Sequence, residues 1–233
     1  MRHFHKQTIV ALACLLAGRA AIATPVNLVQ NGSFETGLAG WDVGGAQGIF
    51  PVGAIFYNSA TQYPTGAFGE AIPQANSSTL SPDASGTRAA YFVDDHAVNA
   101  SLSQTIFLEA GTYRIGFDAY APANGYNNPF DAKFVAQIAG VSLANYMVSD
   151  GPATTWANYS GLASIATAGD YLVSFVFNTP GLGSAKDVVL DRVFVLATDE
   201  DGGTPIGIPE PGTWALLGLG LAGLAAIRRR KDA

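Results

Sequence analysis

Alternation of apolar and polar residues with a period of two is the feature that most constrains the fold of this chain. It is clearest over residues 102–108 and 113–119, which flank a Gly-containing turn at 109–112. Such alternation is typical of strands that bury one face, and a turn between two of them predicts a hairpin. Residues 134–143 predict a second hairpin, and residues 171–177 alternate again. The sequence therefore predicts a protein built from sheets.

The rest of the region from residue 24 to residue 197 fits the same class. It contains no stretch of 12 residues with the apolar spacing and capping signals of a helix. Residues 88–93 and 188–196 predict two more strands, and the second is almost continuously apolar. Short strands joined by Gly-, Ser- and Asn-rich turns predict an all-β jelly-roll β-sandwich over residues 24–197.

Residues 44–87 are the exception to this regular pattern. They are rich in Pro and small polar residues, and they predict a long loop or several short irregular strands, one of them within 49–57. The predicted interior comes from the apolar positions of the other segments. These positions are Phe34, Trp41, Ile106, Leu108, Tyr113, Ile115, Phe117, Phe134, Tyr171, Val173, Phe175, Val193 and Val195.

The first 23 residues have the layout of a signal peptide. Two basic residues precede an apolar segment from Thr8 to Ala17, and Ala21-Ile22-Ala23 fits the small-residue cleavage rule. The sequence therefore predicts export and a mature chain that begins at Thr24. Cys14 is the only cysteine and lies in the removed segment, so the mature protein is expected to have no disulfide and no thiol nucleophile.

The last 25 residues combine a short motif, an apolar run and a basic cluster. Pro209, Glu210 and Pro211 open this tail, and Arg228, Arg229, Arg230 and Lys231 follow the apolar run. A helix over residues 213–227 would be roughly 22 Å long, a minimal transmembrane span for a hydrocarbon core of about 30 Å. The four cations are expected to stay cytoplasmic. Residues 198–208, acidic and Gly-rich, predict a flexible linker before the tail.

This order of Pro-Glu-Pro, Gly/Leu/Ala helix and arginine cluster resembles a PEP-CTERM sorting tail. The resemblance implies a protein exported through the inner membrane of a Gram-negative bacterium that makes exopolysaccharide. It implies a transient membrane anchor that an exosortase-type membrane peptidase recognises and removes, with final location at the cell surface or in the extracellular matrix. The alternative is a plain C-terminal membrane anchor.

The start of the mature chain carries a second resemblance. Residues 31–41 read Asn-Gly-Ser-Phe-Glu-Thr-Gly-Leu-Ala-Gly-Trp, after a short apolar strand expected at residues 27–29. This opening is similar to that of carbohydrate-binding modules and other galactose-binding-like jelly rolls. The resemblance implies a structural Ca²⁺ that links the opening strand to the last strand.

The positions that match such a calcium site are Asn31, Glu35 and Asp191. A carboxylate within an apolar strand is costly to bury unless it is paired or bound to a metal ion. The alternative is that Asp191 pairs with a cation such as Arg114 or faces solvent.

Glycan binding by such a fold would use aromatic rings that its loops expose. Tyr120, Tyr126 and Trp156 lie in Asn-, Gly- and Pro-rich surroundings and are the predicted glycan-binding residues, with Tyr57 and Tyr63 as second choices. The alternative for each ring is packing in the core, which is where most aromatic side chains lie.

Charge and motif content narrow the classes of function. Residues 24–208 contain 16 acidic and five basic residues, a formal balance of −11, which argues against nucleic acid or an anionic membrane surface as a partner. His96 is the only histidine after the signal peptide, and no nucleophile motif such as Gly-x-Ser-x-Gly is present. The sequence therefore predicts a non-catalytic surface or exopolysaccharide-matrix protein. The alternatives are a carbohydrate-binding module and, less favoured, a glycan-active enzyme.

Replacement of Arg228, Arg229 and Arg230 by neutral residues is expected to weaken tail processing, because the cationic cluster fixes the orientation of the helix. In a host with the matching peptidase, mass spectrometry should find the wild-type C-terminus near Pro209 and a larger share of uncut chain for the variant. Recovery of intact wild-type chain ending at Ala233 from such a host would contradict sorting and leave a plain anchor.

Overall fold

The computed structural model describes residues 25–75, 80–199 and 203. The predicted signal peptide, the helix at 213–227 and the sorting tail at 209–233 lie outside the described residues. No helix within the described ranges is long and apolar enough to cross a membrane.

The described chain forms two antiparallel sheets of five strands each. In chain order the strands are β1 (Asp42–Ala46), β2 (Gly53–Phe56), β3 (Arg88–Phe92), β4 (Val98–Leu108), β5 (Gly111–Tyr120), β6 (Lys133–Ile138), β7 (Val141–Met147), β8 (Ala157–Ile165), β9 (Gly169–Asn178) and β10 (Val188–Ala197). The first sheet has the order β1-β4-β9-β6-β7, and the second has the order β2-β3-β10-β5-β8. A short helix α1 (Ala123–Tyr126) and a 3-10 turn (Val148–Asp150) are the described helical segments. The predicted all-β sandwich is confirmed.

Strands β4 and β5 do not form the hairpin that the sequence predicts. β4 pairs with β1 and β9 in the first sheet, whereas β5 pairs with β10 and β8 in the second. The turn between them carries the chain across the sandwich, so both strands point their apolar residues inward from opposite sides. The second predicted hairpin is confirmed, because β6 and β7 pair directly.

The interior between the sheets matches the prediction closely. Every predicted interior residue is buried except Tyr171, which is half-buried and donates its hydroxyl hydrogen to the carbonyl of Thr167. The rings of Phe117, Phe134 and Phe175 pack against one another at the centre, with centroid separations of 5.1–6.2 Å.

The opening segment, residues 27–40, forms turns rather than the expected strand. It nevertheless lies along β10: the Leu28 N–H donates to Val195 O, and the Val193 N–H donates to Gly32 O. The Asn27 side chain adds a donor to Val193 O and an acceptor for the Val195 N–H. A Cβ at Gly32 would overlap the Val193 carbonyl, so a glycine permits this close approach. The link between the opening and the last strand is therefore made by direct hydrogen bonds.

Strand β10 is buried on both faces and contains a bulge. Asp191 pairs with Asp118 and Phe194 pairs with Gly116, so β10 has one residue more than β5 over this stretch. Arg192 takes the extra position, with φ of 53°. A bulge of this kind shifts the alternation by one residue.

A segment that we call the cover segment, residues 57–75, packs on the outer face of the second sheet. Its apolar residues form a second core with outward-facing residues of β2, β3, β5 and β10. The buried members of this second core are Ile55, Tyr57, Ala67, Ile72, Ala75, Ala89, Tyr91, Val93, Tyr120 and Val189. The region predicted as a loop or as irregular strands, residues 44–87, therefore contains the end of β1, the whole of β2 and a second apolar layer.

The end of the domain lies slightly beyond the predicted boundary. Thr198, which the sequence assigns to the linker, is buried, and its N–H donates to Thr112 O. Arg114 Nη2 donates to the carbonyl of Gly203 at 2.9 Å. The first part of the predicted linker therefore binds to the sandwich.

The variant Phe117→Ala is expected to lower the free energy of unfolding by about 3–5 kcal/mol, because this fully buried ring leaves a cavity between the sheets. The matched control is Phe107→Ala on β4, whose ring is 59% exposed, and we expect a change within about 0.5 kcal/mol. Denaturant unfolding measures both, and equal losses for the two variants would contradict the assignment of the core.

Candidate functional site

A cleft of about 350 Å³ lies beside the second core, between the cover segment and α1. Its lining combines apolar rings with carboxyl, amide and hydroxyl groups. The lining residues are Phe50, Phe68, Val93, Asp95, Asn124, Gly125, Asn128, Ser184 and Asp187.

Aromatic rings form one wall of the cleft. Phe50 and Phe68 meet edge to face with centroids 5.5 Å apart, and Tyr63 stacks on Phe68 at 6.1 Å. The buried Asp94 holds this wall in place, since its carboxylate accepts the backbone N–H of Phe50. Both lining rings are half-buried, so part of each remains available to a ligand.

A second wall consists of polar groups held together by the segment that leads into β10. The Ala185 N–H donates to Asp95 Oδ1 at 2.7 Å, and Asn128 Nδ2 donates to Ala185 O at 2.6 Å. These bonds fix the Asp95 and Asn128 side chains next to Ser184. The wall therefore presents a carboxylate, an amide and a hydroxyl from three separate parts of the chain.

Helix α1 closes the cleft and is anchored from the cover segment. The Glu70 carboxylate accepts the N–H groups of Ala123 and Asn124 at 2.9 and 2.8 Å, which satisfies donors in the first turn of the helix. Gly125 in the same helix lies against Asp187, and a Cβ at this position would overlap the Asp187 carboxyl. Glycine is therefore required if the helix is to sit this close to the floor of the cleft.

Asp187 forms the floor of the cleft and is 3% exposed. The Tyr91 hydroxyl donates to its Oδ2 at 2.5 Å. The pKa of Asp187 is raised to about 8, mainly by burial, while the bond from Tyr91 opposes the shift and the negative charges of Asp95 and Glu70 contribute to it. The carboxyl group therefore holds a proton at neutral pH in the empty cleft.

A second set of buried polar groups crosses the second sheet beneath the cover segment. Asp191, Asp118 and Asn158 occupy paired positions on three adjacent strands, and Asn158 Nδ2 donates to Asp118 Oδ1 at 2.8 Å. The Arg192 guanidinium approaches Asp118 at 3.7 Å, and the Tyr57 hydroxyl donates to Asp191. Burial raises the pKa of Asp191 to about 8, and the facing Asp118 adds to the shift, whereas the bonds from Tyr57 and the Arg192 N–H lower it.

The residues of the predicted calcium site have separate protein partners. Asn31 Nδ2 donates to two carbonyls of its own turn, and the Glu35 carboxylate accepts the N–H groups of Thr87 and Arg88. Asp191 is fully buried and accepts from Tyr57 and from the backbone N–H of Arg192, so it does not face solvent. Calcium binding by these three residues stays a prediction.

The residues predicted to bind glycan do not form one exposed surface. Tyr120 is 4% exposed and packs in the second core, so it has no free face for a sugar, and the prediction for this residue is wrong. The Tyr126 hydroxyl donates to Ser149 O, and the Lys186 ammonium lies 4.6 Å from its ring centroid. Trp156 Nε1 donates to Pro73 O. Tyr126 and Trp156 remain half-buried, and their roles stay predictions.

The second-choice residues Tyr57 and Tyr63 also make packing and hydrogen-bond contacts within the folded domain. Tyr57 belongs to the second core, and the Tyr63 hydroxyl donates to Pro51 O while its ring supports Phe68. The cleft residues were missed in the sequence, although Phe68 offered a signal. Phe68 lies two positions after one glycine and directly before another, within a polar segment. An aromatic residue in such a setting is not expected to belong to the core.

Comparison with known proteins adds one motif and a set of similar folds. Residues 207–231 match the PEP-CTERM protein-sorting motif. The chain therefore ends in the sorting signal whose Pro-Glu-Pro and arginine residues the sequence indicates. No curated protein matches the chain.

Several solved structures of carbohydrate-binding modules are similar to the sandwich. One is TmCBM61 in complex with β-1,4-galactotriose, with 19% identity, 74% of this chain and 99% of that chain covered, and a TM-score of 0.47. A family 16 module has 16% identity, 73% and 99% coverage and a TM-score of 0.41. The C-terminal family 22 module of Clostridium thermocellum Xyn10B has 12% identity, 72% and 91% coverage and a TM-score of 0.40. Identities and TM-scores this low do not indicate which ligand this chain binds.

The buried Asp187 is expected to make stability fall as the pH rises. An unfolded aspartate ionises near pH 3.8, so between about pH 4 and pH 8 the folded protein holds a proton that the unfolded chain has released. The contribution of Asp187 to the free energy of unfolding is therefore largest at the acidic end of this window and is lost as the pH rises towards 8. Asp187→Asn, which mimics the neutral carboxyl, should show a shallower decrease in denaturant titrations.

The matched control for this measurement is Asp170→Asn on β9, where the carboxylate is exposed. We expect it to follow the wild-type slope. Asp191 should leave a residual slope in the Asp187→Asn protein, since its own pKa is also raised. A wild-type slope in Asp187→Asn would contradict a protonated Asp187 in the folded protein.

Proposed function

We propose that this protein is an exported, non-catalytic protein of the cell surface or the exopolysaccharide matrix, and that its sandwich binds glycan in the cleft. The observation that supports glycan binding is the pairing of the Phe50–Phe68 wall with the polar wall of Asp95 and Asn128. Aromatic rings pack against the C–H faces of a sugar ring, while carboxyl and amide groups hydrogen-bond its hydroxyls.

The size and build of the cleft agree with this role. Its volume of about 350 Å³ falls in the range of small-molecule sites, which combine apolar walls with a few converging polar groups. A group with a perturbed pKa at the floor, Asp187, is a further common mark of a functional site. The outer face of the first sheet offers no comparable ring wall among the described residues, since the large apolar side chains that β4 and β9 expose are Val98, Phe107 and Leu172, and Phe107 alone of these three is aromatic.

The sorting motif supports the proposed route and location. A signal peptide would bring the chain across the inner membrane of a Gram-negative bacterium, and the tail would hold it there briefly. An exosortase-type peptidase would then cut near Pro209 and release the domain to the surface or the matrix. A glycan-binding domain delivered to an exopolysaccharide matrix would have its ligand around it.

A glycan-active enzyme is the second candidate, and the cleft carboxyls Asp95 and Asp187 are the observation in its favour. A glycosidase uses one protonated and one ionised carboxyl on either side of the bond that is cut. A glycosidic oxygen lies between two sugar rings, however, and a carboxyl that is 3% exposed beneath Gly125 is poorly placed to protonate it. Binding without cleavage is therefore the better account.

Binding is tested with a glycan array and a polysaccharide pull-down, with the full-length protein kept in a nonionic detergent. Phe68→Ala is expected to weaken glycan binding by about tenfold, because the loss of a ring contact removes roughly 1.4 kcal/mol. Asn124→Ala, which changes an exposed residue of the same cleft, should weaken binding as well. Phe107→Ala on the first sheet serves as the control and should bind as wild type.

Two results would contradict the proposal. If no glycan binds, the cleft has another role. If Phe107→Ala loses binding while Phe68→Ala retains it, the glycan site lies on the first sheet. Release of reducing sugar on prolonged incubation would instead support the enzyme.

A further inference from the structure

The geometry points to a glycan with free amino groups, a hexosamine polymer that is at least partly without N-acetyl groups, as the ligand of this cleft. Its ammonium group would lie on the floor between Asp187 and Asp95. This inference rests on the proposed function, since it names the class of glycan that the cleft binds.

The charge of the cleft is the first argument. Two of the nine lining residues are carboxylic acids, and none is Lys, Arg or His. Glu70 lies close enough for its negative charge to act on Asp187. The nearby Lys186 directs its ammonium to the carbonyls of Tyr126 and Asn128. An anionic sugar would therefore meet the negative charge of Asp95 with no cation in the lining to offset it, whereas a cation would be attracted.

The free acceptor atoms are the second argument. Asp187 Oδ2 accepts from Tyr91, but no described residue donates to its Oδ1. Asp95 uses Oδ1 to accept from Ala185, and Oδ2 has no donor among the described residues. A primary ammonium group has three N–H donors and no acceptor, so it matches two such carboxyl oxygens better than a hydroxyl does.

The depth of Asp187 is the third argument. The glycosidic oxygen between two sugar rings cannot reach a carboxyl group that is 3% exposed. An amino group projects from the edge of a sugar ring, and so it can reach this carboxyl group. The ring of the same sugar unit would then lie against Phe50 and Phe68. A metal ion fits less well, because Ca²⁺ needs six to eight oxygen ligands and the aromatic wall supplies none. No group of three or more acidic or histidine side chains is placed to hold a metal ion in the described part of the chain.

Release of the Asp187 proton on binding is a second measurement that tests for an amino sugar as the ligand. Asp187 holds a proton in the empty cleft because burial raises its pKa to about 8. An ammonium beside the carboxyl favours the ionised form and lowers this pKa. Near pH 6, where the sugar amine already carries its own proton, binding should therefore release up to about one proton, and binding of an uncharged sugar should release none.

The experiment compares three oligomers by titration calorimetry on the full-length protein in nonionic detergent: a glucosamine hexamer, the fully N-acetylated hexamer and an oligouronate. At about pH 6 the glucosamine hexamer is expected to bind at least tenfold more tightly than the N-acetylated one, and the oligouronate more weakly than either. Titrations at the same pH in two buffers of different ionisation enthalpy measure the proton release.

Matched variants separate the cleft from the acidic surface as a whole. Asp95→Asn and Asp187→Asn should remove the preference for the amine, so that each variant binds the glucosamine hexamer and the N-acetylated hexamer with similar affinity. Asp170→Asn removes one exposed charge on β9 and should leave the preference unchanged. Thermal melting confirms that each variant is folded.

The outcomes distinguish this inference from the proposed function. Equal affinity for the two hexamers, or an amine preference that survives in Asp95→Asn, would overturn the inference and leave a glycan site of another specificity. Tighter binding of the oligouronate would overturn it as well. Absence of binding to every glycan in the array would instead remove the proposed function itself.

Discussion

The burial of strand β10 on both faces is the constraint on which the rest of this structure depends. Its residues from Val188 to Leu196 are all buried, although the strand belongs to one sheet of a two-sheet sandwich. One face packs against the first sheet, and the other needs a second layer. The cover segment and the opening segment provide that layer, and both are irregular because their role is to fit a surface rather than to extend a sheet.

The double burial explains why two carboxyl groups near this strand, those of Asp187 and Asp191, have raised pKa values. Asp118 and Asp191 face each other across β5 and β10, an arrangement of like charges that is unfavourable if both are ionised. Arg192 lies beside Asp118, and Asp191 is held by Tyr57 with its pKa raised, so a neutral Asp191 relieves the repulsion. The bulge that places Arg192 in a left-handed conformation thus also brings a cation to this pair.

The sequence predicts the strands well and their partners less well, for a physical reason. Alternation at residues such as Ile115 and Phe117 indicates that one face of a strand is buried. It does not indicate which sheet contains the strand, because both sheets of a sandwich face the same interior. The β4–β5 hairpin was therefore a reasonable but wrong prediction. Strand β8, with Gly161 at its centre and few large apolar residues, gave too weak a pattern to be recognised. The bulge at Arg192 was hidden because β10 is buried on both faces, so its sequence has no alternation for a bulge to interrupt.

The candidate site was harder to predict because its residues are far apart in the sequence. Asp187 follows Lys186 in what reads as an ordinary turn before a strand. Its burial depends on Tyr91 and Gly125, which lie about 100 and 60 residues away in the chain. Tyr120 was mistaken for a loop residue because the polar stretch that follows it marks the end of β5, and the layer that buries its ring comes from residues 57–75.

The same layer that stabilises the sandwich also sets the chemistry of the cleft. Glu70 at the end of the turn after Phe68 anchors α1, and α1 covers Asp187 through Gly125. Burial keeps Asp187 protonated while the cleft is empty, so the fold does not bear an uncompensated charge beneath the helix. A cation that enters from the cleft supplies the compensation that ionisation requires. The stability of the cover layer and the affinity of the cleft are thus coupled through one proton on one carboxyl group.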